Sequence, residues 1–102
     1  MTQSGRVAEV KQALRRIIDP ELGENVVDLG LIYEIAVEED IARIRMTTTT
    51  RGCPAAAFLE QAVRSAAEGV PGIRRAEVEV THEPRWTPAM MSEAARLSLG
   101  RR

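Results

Sequence analysis

The chain has 102 residues, of which 44% are hydrophobic and 28% charged, which fits one domain over 1–102 and is unlike a disordered chain. Its 14 basic and 15 acidic residues give a formal net charge of −1, which excludes the strongly basic face that nucleic-acid binding usually needs. Because no apolar run approaches the roughly 20 residues of a membrane span and the N-terminus lacks a secretory core, we expect a cytoplasmic protein without nucleic-acid or membrane partners.

The first half of the chain predicts a helix followed by a β-hairpin. Apolar residues at helical spacing predict a helix that ends near Ile18, because Pro20 disfavours the α conformation in the residue before it. These apolar residues are Val7, Val10, Leu14, Ile17 and Ile18. Alternation of apolar and polar residues then predicts strands over 31–37 and 41–48, joined by a polar turn. In the first strand the residues expected on one face are Leu31, Tyr33, Ile35 and Val37.

The second half predicts a helix, a third strand and a helical tail from about residue 84 to 102. The helix is expected to end at Gly69, the strand to cover 76–81 and the tail helix to cover 92–99. The helix is expected to pack through Phe58, Leu59, Ala62, Val63 and Ala66. A right-handed crossover through it makes the second and third strands parallel. We therefore expect an α+β fold, with a three-stranded mixed sheet covered by helices on one face.

Cys53 is the only cysteine and the strongest candidate for chemistry. It precedes Pro54, where the second helix is expected to begin, and unpaired N–H groups at a helix N-terminus favour a thiolate. A thiolate is the form that binds iron, zinc or a cluster. A buried structural cysteine is an equally good interpretation of the position alone, since free cysteine packs well as a small apolar residue.

Other candidate residues have ordinary structural explanations beside the functional ones. Asp19 and Glu21 flank Pro20 and are either metal ligands, groups that orient the thiol, or the cap of a short turn, which the pattern favours. Thr47 and Thr49 belong to a run of four threonines and would offer hydroxyls near Cys53, although β propensity also explains them. His82, the only histidine, is interpreted as a solvated loop residue.

Trp86 and Met90 belong to the C-terminal tail. Trp86 is the only tryptophan and is expected either to anchor the tail over the core or to mark a surface for a partner protein. Met90, beside it, would extend that apolar patch. From the residues alone, the sequence predicts an α+β domain with one potentially activated thiol.

Three blocks of the sequence resemble the SufT- and PaaD-like metal–sulfur cluster assembly factors. They are DPELGENVVDLGLIYEI from Asp19, TTTTRGCP through Cys53, and EPRWTPAMMSEAARLSLG from Glu83, and they occur in the order typical of that family. The resemblance implies an accessory role in maturing iron–sulfur proteins, not an enzyme activity. It also implies that Cys53 is the functional residue, with Asp19 and Glu21 near it.

The resemblance suggests a mechanism with several open alternatives. Cys53 would hold iron or an iron–sulfur cluster transiently, and because a cluster usually needs four protein ligands, an assembly protein, a client apo-protein or a homodimer would supply the rest. An adaptor that docks assembly proteins to their clients without binding metal is the second interpretation. A thiol redox protein is the third, and it requires an acid–base partner such as His82 for Cys53.

Overall fold

The fold is an α+β arrangement in the predicted order of elements. The structure, a computed structural model, describes residues 3–49 and 55–100. The elements are α1 (Gln3–Leu14), β1 (Ile32–Glu38), β2 (Ile41–Met46), α2 (Ala56–Glu68), β3 (Arg75–Val80), a 3-10 turn (Pro88–Met90) and α3 (Glu93–Gly100). In the described part of the chain, every helix is too short and too polar to cross a bilayer.

The three strands form one mixed sheet in the order β1-β2-β3. β1 and β2 are an antiparallel hairpin, as predicted, with Ile35 opposite Ile44. β2 and β3 are parallel, with Ile44 opposite Val78, which confirms the predicted crossover through α2. The carboxyl ends of β2 and β3 therefore lie at the same edge of the sheet, next to the start of β1.

The core lies between the sheet and the helices α1 and α2. Alternation along β2 directs Ala42, Ile44 and Met46 to the inner face, where all three are buried. α1 packs on β1, α2 packs on β3, and the two helices contact each other. They contribute the buried side chains of Val10, Leu14, Leu59, Val63 and Ala67. The helical layer on one face is thus confirmed.

The opposite face of the sheet, called the outer face below, carries charged side chains in rows of alternating sign. Arg43 of β2 pairs with Glu77 of β3 at 3.2 Å and with Glu38 of β1 at 3.2 Å. Arg45 pairs with Glu79 at 3.0 Å. Because all of these side chains are about half exposed, each pair contributes little to stability, at most about 1 kcal/mol.

The end of the first helix was predicted wrongly. α1 ends at Leu14, whereas the pattern predicted an end near Ile18. The apolar spacing continues beyond the helix because Ile17 is also buried, but Ile18 forms an isolated antiparallel bridge with Asn25. After the helix, the chain therefore pairs with the segment before β1. A longer helix and this pairing would both bury Ile17, so the apolar spacing alone cannot distinguish them.

Three further predictions were wrong in detail. Phe58 was expected to pack into the core, but 59% of its surface is exposed, because the buried stripe of α2 begins at Leu59. The even alternation predicted from Leu31 to Val37 is interrupted, because the register of β1 shifts between Ile32 and Glu34 and Ile32 lies opposite Met46. β2 ends at Met46, two residues before the predicted Thr48.

Candidate functional site

The candidate site is at the sheet edge where β2 and β3 end and β1 begins, called the site edge below. The backbone N–H of Thr47 donates to the carbonyl of Leu31 at 2.8 Å, which continues the pairing of β2 with β1. On the other side the N–H of Thr81 donates to the carbonyl of Met46, also at 2.8 Å. The backbone leading from β2 towards Cys53 is therefore held on both sides.

The threonines after β2 are largely buried. Thr47 and Thr48 are 0% and 2% exposed, and the hydroxyl of Thr47 donates to the carbonyl of Thr48 at 3.4 Å. Thr49 is half-buried. Cys53 belongs to the segment 50–54, which lies outside the described residues, so the predicted proximity of Thr47 and Thr49 to the thiol remains a prediction.

His82 is not the solvated loop residue that the sequence suggested. It is half-buried, and its Nε2 lies 3.2 Å from the hydroxyl oxygen of Thr48. The pairing follows from topology, because Thr48 comes just after β2 and His82 just after the parallel neighbour β3. The parallel strands are predictable from the sequence, but the pairing of Thr48 with His82 follows only when the residues after the ends of both strands are compared, and it was therefore missed.

Asp19 caps a turn, as the sequence favoured. The side chain is 1% exposed, and its Oδ1 accepts the backbone N–H groups of Glu21 at 2.7 Å and Leu22 at 3.1 Å. The Asp19 carbonyl accepts the N–H of Gly23, and the Asp19 N–H donates to the carbonyl of Glu24. Glu21, in contrast, is exposed. The cap is thus an observed role for Asp19, and the proposed roles of Asp19 and Glu21 beside the thiol are still predictions.

Trp86 anchors the tail to the loop before β1. Its indole N–H donates to the carbonyl of Leu29 at 2.7 Å, and the ring packs against the core. The hydroxyl of Tyr33 donates to the carbonyl of Pro84 at 2.7 Å and lies 3.6 Å from the sulfur of Met90. The anchoring role of Trp86 is therefore observed, whereas a partner surface at Trp86 and Met90 remains a prediction.

We expect Trp86→Phe to lower the free energy of unfolding by about 1–2 kcal/mol. The change keeps an aromatic ring but removes the donor to the Leu29 carbonyl, which costs about one net hydrogen bond and some packing. Urea unfolding followed by far-ultraviolet circular dichroism measures it. Met90→Leu, which keeps a side chain of similar volume, is the control and is expected to change the free energy by less than about 1 kcal/mol.

Comparisons with known proteins show the family to which the chain belongs. A model of the family described as iron-sulfur cluster assembly protein matches residues 7–80. The chain belongs to this family. The match covers most of the chain and includes Asp19, Glu21, Thr47, Thr49 and Cys53, and it confirms the family resemblance of the first two sequence blocks.

Relatives of the family extend the comparison to the tail. A Porphyromonas gingivalis protein named Fe-S protein maturation auxiliary factor is 43% identical over 93 residues, which are 90% of this chain and 89% of that protein. A Deinococcus radiodurans protein named iron-sulfur cluster carrier protein is 38% identical over 67% of this chain but only 19% of its own length. The crystal structure of a domain of unknown function from Bacillus anthracis has a TM-score of 0.93 at 36% identity, covering 98% of this chain and 96% of that one.

One chain offers few side chains that could bind a metal or a cluster. The chain has one cysteine, and within 3–49 and 55–100 no three histidine, aspartate or glutamate residues are grouped as a metal site would need. Most clusters are held by four protein ligands, usually cysteine thiolates. The donor set of one chain therefore fits an incomplete, open site and does not fit a closed resident cluster.

Proposed function

We propose that this chain is a cytoplasmic accessory factor in the maturation of iron–sulfur proteins that holds iron or a cluster transiently through Cys53 and catalyses no reaction. The observation that carries the proposal is the family match over 7–80, which spans the chain's single thiol. The names of two relatives, a maturation auxiliary factor and a cluster carrier protein, support the same role.

The local chemistry of the chain supports Cys53 as the ligand. Cys53 precedes the first residue of α2, Ala56, by three positions, and the N-cap residue Ala55 has no polar side chain with which to cap the helix. The first-turn N–H groups of a helix favour negative charge nearby, and a thiolate is both the iron ligand and the anion available in this segment.

Transfer of the cargo requires ligands from outside the chain. One thiolate leaves about three positions of a cluster to be filled by an assembly protein, a client apo-protein or a second copy of this chain. Such a site releases its cargo when client thiolates displace its ligands one by one, because only one iron–sulfur bond, that to Cys53, then has to be exchanged, and Cys53 leaves as a free thiolate. An open donor set thus suits delivery better than storage.

Anaerobic reconstitution with iron and sulfide tests the proposal. Cluster absorbance is expected in the wild type and should be lost in Cys53→Ala and in Cys53→Ser, with circular dichroism showing that both variants are folded. Gln61→Ala is the control, because it changes an exposed side chain of α2 without removing a thiolate or a candidate site residue. No absorbance in a folded wild type, or equal absorbance in Cys53→Ala, would overturn carriage by this residue.

An adaptor that binds no metal is the second candidate, favoured by the lack of a three-ligand group among the described residues. In that case Cys53→Ala should leave binding of an assembly protein or apo-client intact. Substitution of Trp86 or Met90 should weaken that binding instead. Calorimetric titration of the assembly protein against the two kinds of variant separates the adaptor from the carrier.

A further inference from the structure

A groove of about 850 Å³ lies between α1 and the C-terminal half of α2. Small side chains form much of its wall, which allows another backbone to approach closely. Those of α1 are Ala8 and Ala13, and those of α2 are Ser65 and Ala66. The first groove residue of α2, Ser65, is nine residues after the start of the helix at Ala56. The groove therefore begins about 13 Å along α2 from the end of the helix that Cys53 precedes in the sequence.

Two opposite charges line the groove on the side of α1. Glu9 belongs to α1, Arg16 lies in the turn that follows its last residue, Leu14, and both line the groove. Neither side chain forms an ion pair within the described ranges, whereas the neighbouring Arg15 is 3.8 Å from Asp28. Gln12, between them, also lines the groove.

We propose that a second copy of this chain docks in this groove about a two-fold axis that passes near Gln12. In a two-fold interface the contact of one residue with another is repeated in reverse. With the two α1 helices antiparallel, Glu9 of each copy would face Arg16 in the turn after α1 of the other. Both unpaired charges would then be neutralised by the same contact made twice, and the two Gln12 amides could exchange hydrogen bonds.

Charge complementarity favours a second copy over other occupants. A basic partner segment would satisfy Glu9 but meet Arg16, and an acidic one would do the reverse. A second, antiparallel copy of residues 9–16 presents the two charges in reverse order, so that each charge meets its opposite. The groove is also separate from the start of α2, near which Cys53 lies in the sequence, because the first residue of α2 that lines the groove is Ser65. This inference does not depend on cluster carriage by Cys53.

Charge reversal tests the geometry. In sedimentation velocity on the cluster-free protein, in a Cys53→Ser background that prevents disulfide dimers, we expect a dimer at micromolar to millimolar concentration. Arg16→Glu alone and Glu9→Arg alone should each raise the dimer dissociation constant about tenfold or more, because two attractive contacts become repulsive. Lys11→Glu, an equal charge change on another side of α1, is the control and should leave the constant within about threefold.

The two single variants also test each other. A chain that is acidic at both positions and a chain that is basic at both should associate when mixed, since both contacts of the heterodimer are again attractive. The double variant Glu9→Arg/Arg16→Glu should likewise dimerise as the wild type does. A monomeric wild type, an equal effect of Lys11→Glu, or no association of the mixed variants would overturn the proposal. Cluster reconstitution is a separate measurement, so failure of either idea is recognised independently.

Discussion

Asp19→Ala is expected to lower the free energy of unfolding by about 2–4 kcal/mol. The buried carboxylate accepts two backbone N–H groups, from Glu21 and Leu22, and alanine leaves both donors without that acceptor. Hydrogen bonds to a charged group are worth more than neutral ones, and unsatisfied buried donors are costly. Urea unfolding at neutral pH measures the change.

Asp19→Asn distinguishes the cap from a role beside the thiol. Asparagine keeps an acceptor oxygen, so we expect less than half of the stability loss seen with alanine. An equal loss in both variants would contradict the capping explanation. If the asparagine variant folds stably but no longer forms a cluster on reconstitution, the carboxylate has a second role near Cys53, as the family resemblance implies.

Gly30→Ala is expected to destabilise the protein by at least about 2 kcal/mol and to loosen the tail. Gly30 has a φ of +78°, a left-handed conformation that alanine adopts only with strain. A Cβ at this position would also lie 2.8 Å from the carbonyl carbon of Met90 and closer still to its oxygen. The backbone of the tail would have to move, and Leu29, whose carbonyl accepts the Trp86 hydrogen bond, directly precedes Gly30.

The fluorescence of the single tryptophan reports this movement. We expect a red-shifted emission maximum in Gly30→Ala, because Trp86 becomes more exposed to water. Gly100→Ala is the matched control, since a Cβ there meets nothing within 4 Å. An unshifted spectrum with full stability in Gly30→Ala would show that the tail tolerates the added methyl group, and that the close approach to Met90 is not what fixes it.

Strong periodicity made much of the fold predictable. Along β2 the alternation of Ala42, Ile44 and Met46 with Arg43 and Arg45 settles which face is buried, and the structure agrees. The order strand–helix–strand then implied parallel pairing of β2 with β3. Turn chemistry was equally informative, because an aspartate before a proline predicted the Asp19 cap.

The errors arose where tertiary contacts outweigh local pattern. Ile17 is buried whether the chain stays helical or turns to pair Ile18 with Asn25, so the end of α1 could not be found from spacing. Phe58 is apolar at a helical position, but only the placement of α2 on the sheet leaves it exposed. At the site edge, Thr48 and His82 are 34 residues apart in sequence, and only the parallel strands bring them together.

The outer face of the sheet is more stable in contact with water than in contact with another protein surface. The paired charges of Arg43, Arg45, Glu77 and Glu79 are already neutralised within the chain, so another sheet stacked on them would strip their hydration without adding new attraction. Such stacking is unfavourable by several kcal/mol for each ion that is dehydrated. This face therefore opposes face-to-face aggregation of the sheet.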